Sequence, residues 1–215
     1  MFLLIQHDVD SLPIFTKRMV AMEAEHGIRS NVFIFRHRYS GSSKLGPYNV
    51  DHEFFKEAER AGFVIGYHQN ALQLAGFDIE RATKQFYDDV MCLRDHFTIK
   101  YFCPHGGESR SVNGRILHNA DVPVPQELQD GIQWVYNRYG LRFSGRWSDG
   151  GFRSIRDTKR LRGLDIIEEF VKKMEAGKRY FLLIHPQLWG YNVDPQLNPM
   201  LAEEPWYQEM LERYQ

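Results

Sequence analysis

Six short apolar runs alternate with helical patterns, and most of the runs lead straight into polar clusters. No other feature narrows the possible folds as much. The runs are FLLI (2–5), NVFIF (31–35), FVIGY (63–67), IKYFC (99–103), LRFSG (141–145) and YFLLI (180–184). Runs this short, bounded by turn residues, read as buried strands. Helical patterns fall between them at 13–26, 52–61, 78–97, 127–138 and 164–176, with Asp51 as a cap and Gly27, Gly62 and Gly177 as stops. This βαβα order predicts a parallel sheet, and with several units a closed or nearly closed β/α barrel. At 215 residues and 43% hydrophobic content the chain can bury one core of that kind, and no linker, repeat or low-complexity tract divides it. Residues 1–215 therefore read as one domain. From 186 onward the prolines and tryptophans predict irregular chain packed on the barrel, then a short helix from 205.

Charge and motifs remove several functional classes. With 27 basic and 28 acidic residues the formal charge is −1, so no global field favours nucleic acid or an anionic membrane surface. The basic stretch NRYGLRFSGRW (137–147) interleaves its arginines with apolar residues and reads as a strand with its flanks. No GxxxxGK[ST] or GxGxxG pattern supports nucleotide binding. No apolar run reaches the length of a signal or membrane helix, and Cys92 and Cys103 read as reduced thiols, which together predict a cytoplasmic protein without membrane insertion. The sequence leaves the oligomeric state open.

In parallel β/α folds the chemistry gathers at the C-terminal ends of the strands. Here those ends carry His7-Asp8-Val9-Asp10, Arg36-His37-Arg38-Tyr39, His68-Gln69-Asn70, Pro104-His105-Gly106-Gly107-Glu108, Trp147-Ser148-Asp149 and His185-Pro186. Residues two apart in a strand share a side, so Asp8 and Asp10 face one site while His7 and Val9 face away. Two adjacent carboxylates repel, and a divalent cation removes that penalty. One aspartate can then bind the cation while the other takes a proton from a bound water. In the competing reading Asp10 or Ser11 caps the helix near Pro13, which leaves Asp8 unexplained. His68, His105 and His185 are each open to two roles, functional or hydrogen-bonded and structural. His7 reads as a support behind Asp8 or Asp10, and His26 and His96 as partners of helix C-termini. Asp149 orders a catalytic histidine or arginine, or else caps the DGG turn. Trp147 and Trp189 fall in loops where indole faces suit sugar surfaces or simple packing. The two glycines after His105 permit close backbone approach.

The set HDVD, GYHQN, CPHGG, WSDGG and LLIHPQLW, in that order over nearly the whole chain, resembles the polysaccharide deacetylase superfamily (NodB homology, carbohydrate esterase family 4). It is most similar to the branch that opens with HDVD, including the WbmS type found among surface-polysaccharide and O-antigen genes. The resemblance implies a distorted seven-stranded β/α barrel, one divalent metal ion with zinc as first choice, and a carbohydrate substrate. It implies metal-dependent hydrolysis of an N-acetyl (amide) group on a sugar, with Asp8 as general base, Asp10 as metal ligand and His185 as the general acid for the leaving amine. The chain departs from the family pattern twice. Of the HxxxH motif only His68 is present, Leu72 standing where the second histidine belongs, so His105 becomes the replacement ligand beside Asp10 and His68. The arginine that normally orients the base is missing near Phe102, and Arg36, Arg38 and Arg115 are the candidates to supply its charge. These departures keep a second function in view, an inactive domain that binds glycan or a partner protein.

Overall fold

The computed structural model describes residues 1–37, 48–135, 142–149, 168 and 170–187. The chain starts with β1 (Phe2–Val9), turns at Leu12 into α1 (Pro13–Glu25), and continues through β2 (Asn31–Ile34), α2 (His52–Arg60) and β3 (Val64–Gln69). The single turn α3 (Ala71–Leu74) leads to α4 (Ile79–Arg94) and β4 (Tyr101–Pro104). A hairpin of β5 (Arg110–Val112) and β6 (Arg115–Leu117) precedes two 3₁₀ turns, and β7 (Gln133–Trp134), β8 (Gly145–Ser148) and β9 (Arg179–Ile184) complete the described elements. Seven strands form one sheet in the order β7-β4-β3-β2-β1-β9-β8, with every pairing parallel. This is the distorted, seven-stranded β/α fold that the family resemblance implies, its sheet curled into a half-barrel, in a single domain.

Local chemistry sets the helix starts. Pro13 lacks the N–H that a first helical turn leaves unused, and Asp51 and Asp78 accept the backbone N–H groups of Phe54 and Arg81 to open α2 and α4. The main core lies between sheet and helices, where Val32, Ile34, Ile65 and Tyr67 meet Phe55, Phe86 and Val90. Burying such side chains contributes roughly 1.5–3 kcal/mol each. No helix among the described residues is long and apolar enough to cross a membrane, and Cys92 and Cys103 are free thiols.

Several boundaries differ from those read in the sequence. The fifth strand begins where the run 141–145 ends: β8 pairs Gly145–Ser148 with Tyr180–Leu183, which puts Trp147 in a strand rather than a loop. The helical pattern 127–138 does not become a helix over its described part. Gln126–Leu128 forms a 3₁₀ turn, Gly131 interrupts, and Gln133 and Trp134 extend to pair with Tyr101 and Phe102 at the edge of β4. Tertiary pairing overrides a helical spacing that was only local. The β5–β6 hairpin follows from Asn113-Gly114, both with positive φ (50° and 78°), the sequence signature of a two-residue turn. Of the helix expected at 164–176, residues 168 and 170–172 are helical and 164–167 lie outside the described residues, as does the tail from 188.

Candidate metal centre

Alternation along β1 sorts its polar end into two faces. Gln6 and Asp8 face His68 of β3 and Cys103 of β4, two residues that are partners across parallel strands. His7 points the other way, beneath α1. Asp10 follows the strand, and it is not a helix cap: Leu12 is the N-cap of α1, in a left-handed conformation (φ 45°), and no side chain caps that end. Asp10 is therefore available to the site.

Three histidines from three strand ends surround it. His68 Nε2 lies 3.0 Å from Asp10 Oδ1 and 3.8 Å from Asp8 Oδ2, and its ring stacks on Phe35 with centroids 4.7 Å apart. His105 Nε2 lies 3.7 Å from Asp10 Oδ1, with Phe35 edge-on to its ring. His185 Nε2 lies 3.8 Å from Asp10 Oδ2. Behind His185 the fully buried Asp149 uses both oxygens, accepting the backbone N–H at 2.7 Å and bonding ring Nδ1. This is the histidine contact expected of Asp149; the remainder of the DGG turn, residues 150–151, lies outside the described residues.

The electrostatics are those of a place built for positive charge. Burial works against carboxylate ionisation at Asp10, but the hydrogen bond from His68 and the charges of His68, His105 and His185 outweigh it and hold the group at about 2. Burial likewise opposes a charged His68, yet the nearby Asp8 charge and the Asp10 hydrogen bond raise its pKa. His185 is carried up to about 9 against burial, first by the Asp149 hydrogen bond and then by the charges of Asp10, Asp149 and Asp8.

The donor set fits a cation. His68 Nδ1 lies 3.2 Å from both the carbonyl oxygen and Sγ of Cys103; with the Nδ1 hydrogen donated to the carbonyl, which only accepts, the neutral ring presents a lone pair at Nε2. That lone pair and the Asp10 carboxylate repel unless a proton or a metal ion lies between them. Ligand atoms of Asp10, His68 and His105 all fall within 4.8 Å of one another, and a carboxylate with two imidazoles suits zinc with a position left open. Asp8, His68 and Cys103 form a second group of the same compactness. There, burial first and the Asp8 charge next push the thiol well above its usual range, so Cys103 keeps its proton and serves as a donor to Asp8 Oδ1 at 3.5 Å.

Three expected participants lie elsewhere. His7 Nε2 contacts Glu23 of α1 at 2.9 Å, so it supports neither Asp8 nor Asp10; the strand period had already turned it to the outer face. Arg36 Nε bonds Cys92 Sγ at 2.8 Å and its other end meets His37, while Arg115 is exposed on the hairpin and pairs with Asp121 at 2.9 Å. Neither orients Asp8. That task falls to Gln6, whose amide donates to Asp8 Oδ1 at 2.6 Å. The same two-residue period that joined Asp8 to Asp10 also reaches Gln6, so the signal was there to be read. Arg38 and Trp189 lie outside the described residues. Leu72 is fully buried in the core, while its neighbour Gln73, which nothing in the motif announced, places Oε1 3.0 Å from His105 Nδ1.

No family model matches the chain, and no curated protein matches it by sequence. Solved structures do. A wild-type CE4 family pseudoenzyme from Bacillus anthracis aligns with a TM-score of 0.51 at 11% identity, over 95% of this chain and 61% of its own. A mutant of the same protein with restored enzymatic activity gives 0.51 at 11% identity, over 94% and 63%. This chain has the CE4 fold. It spans about three fifths of the length of those chains, and at such identity the likeness is one of fold.

Proposed function

We propose that this protein is a metal-dependent deacetylase that hydrolyses an N-acetyl (amide) group on a sugar or sugar precursor. The observation that carries the reading is the convergence on Asp10 of three histidine Nε2 atoms, two of them ligand-like and one held by a buried carboxylate. Asp10, His68 and His105 are the residues that would hold the cation. When bound there, a divalent ion such as zinc supplies a Lewis acid for the acetyl carbonyl and a lowered pKa for water. The remaining chemistry belongs to the chain. Asp8, with Oδ1 engaged by Gln6 and Cys103, turns Oδ2 toward the site and takes the proton of the attacking water. Water oxygen bonds to the carbonyl carbon, and the C–N bond then breaks as His185 Nε2 gives a proton to the departing nitrogen, yielding acetate and a free amine. Asp149 keeps that ring oriented and charged for the task. The HDVD resemblance suggests a small or carrier-linked sugar of surface-polysaccharide metabolism, met in the cytoplasm.

A second reading, an inactive glycan-binding domain, is favoured by the missing HxxxH histidine and by the described pseudoenzyme with the same fold. One experiment separates the two. Protein purified without chelator is analysed for metal alongside Asp10→Ala and His68→Ala, and acetate release is followed from N-acetylated nucleotide sugars and oligosaccharides. Near-stoichiometric metal lost in both variants, with acetate released by the wild type only, supports the deacetylase. A metal-free wild type that releases no acetate sinks it.

A further inference from the structure

We propose that Gln73 is the positioning residue for His105 and fixes its ring so that the Nε2 lone pair, rather than an N–H, faces Asp10. The inference rests on the deacetylase reading only in taking Asp10, His68 and His105 as one cation site. Its basis is a chain of hydrogen bonds whose polarity is set by backbone groups. The N–H of Leu72 donates to Asn119 Oδ1 at 3.2 Å, and the Nδ2 group of Asn119 donates to the His105 carbonyl at 3.0 Å. An N–H can only donate and a carbonyl can only accept, so the orientation of the Asn119 amide follows without choice. The same Nδ2 group also meets Gln73 at 3.3 Å, which requires the oxygen of the Gln73 amide at that point. That oxygen is 3.0 Å from His105 Nδ1. Facing an obligate acceptor, Nδ1 carries the hydrogen, and in the neutral ring Nε2 is bare toward the Asp10 carboxylate 3.7 Å away.

Shape reinforces polarity. Gln73 and Asn119 are buried, 6% and 2% exposed. Gly107 closes the other side of the pair: a Cβ there would come within 2.6 Å of Gln73 Nε2 and of His105 Cε1. One turn of helix thus puts Leu72 into the core and its neighbour behind the histidine that takes the missing ligand's place. The metal-binding half of the site is rebuilt on α3 and β4 rather than lost.

The test uses Gln73→Leu, Gln73→Glu and Gly107→Ala in the full chain, with two readouts. The first is the His105 tautomer from ¹⁵N NMR of metal-free, histidine-labelled protein, at a pH where the ring is neutral. The second is zinc affinity by competition with a chromophoric chelator. The wild type should show hydrogen on Nδ1. Gln73→Leu should move it toward Nε2 and weaken zinc binding by about 10–100-fold, the usual cost of removing a group that orients a ligand. Gln73→Glu keeps an acceptor oxygen at Nδ1 and should retain the wild-type tautomer in the neutral ring, an outcome that a purely structural role for the amide would not single out. Gly107→Ala should weaken zinc binding without deleting any polar group. Wild-type tautomer and affinity in Gln73→Leu overturn the inference. A wild type that takes up no zinc overturns the deacetylase reading instead, and the tautomer alone then decides the role of Gln73.

Discussion

His185 and His105 flank Asp10 at 3.8 and 3.7 Å, and differ in what grips the other ring nitrogen. His185 Nδ1 meets the buried carboxylate of Asp149, which favours a charged ring and lifts the pKa to about 9. His105 Nδ1 meets the neutral amide of Gln73. A carboxylate behind an imidazole favours the charged ring, whereas a neutral amide accepts the Nδ1 hydrogen without adding charge. The two rings thus flank one carboxylate and differ in the partner at Nδ1.

The largest effect is expected where that difference is erased. Asp149→Asn gives His185 the same kind of neutral partner as His105, so its pKa should fall well below 9 and kcat by about 10²–10⁴-fold, the range of a lost general acid. Metal content should stay at the wild-type level. The same variant has a signature in the stability of chelator-treated protein. His185 is raised from the usual 6.5 to about 9 on folding, so its contribution is fully present below pH 6.5 and is lost as pH rises through 9. A shift of that size corresponds to roughly 3 kcal/mol. Denaturant titrations should therefore show wild type and Asp149→Asn far apart at pH 6 and closer at pH 9.5. A gap that stays constant over that range would remove the ionic account of the pair.

How much of this could be read beforehand depended on whether the controlling interaction was local. Strand period alone placed Asp8 and Asp10 together and turned His7 away, and the strand-end rule gathered His68, His105 and His185. The barrel followed from six runs and their helices. What escaped were contacts between residues far apart in sequence. Gln73 meets His105 across 32 positions, and Asn119 meets Leu72 across 47. Neither amide has a periodicity or motif to give it away. The helix expected at 127–138 failed for a related reason, since its middle was claimed by the open edge of β4. Arginine was sought as the partner of Asp8 because charge is easy to see in a sequence, yet the contact is the neutral Gln6.

A third histidine sharpens the comparison by holding the partner type and changing the place. His7 also has a carboxylate, Glu23 Oε1 at 2.9 Å, and Ser30 donates to the second oxygen at 2.6 Å, but the group lies under α1 away from Asp10. Glu23→Gln should lower stability by about 1–3 kcal/mol, as expected when buried hydrogen bonds to a charged group are weakened. Zinc affinity and kcat should be unchanged. Chemical denaturation and chelator competition on the same preparation check both halves, and a loss of zinc affinity would mean that β1 transmits strain from His7 to Asp8 and Asp10.

The smallest effect is expected at Arg115, and it bears on what replaced the missing arginine. Its side chain is 72% exposed and pairs with Asp121, which also accepts the backbone N–H of His118 and so holds the turn after β6 without it. An exposed pair of this kind contributes about 0–1 kcal/mol. Arg115→Ala should leave kcat/KM within about twofold and stability within about 0.5 kcal/mol. Gln6, by contrast, is fully buried and bonded to Asp8 Oδ1. A tenfold loss of activity in Arg115→Ala would put the orienting charge back on the β5–β6 hairpin and displace Gln6 from that task. Unchanged kinetics leave Asp8 oriented by a neutral donor from its own strand.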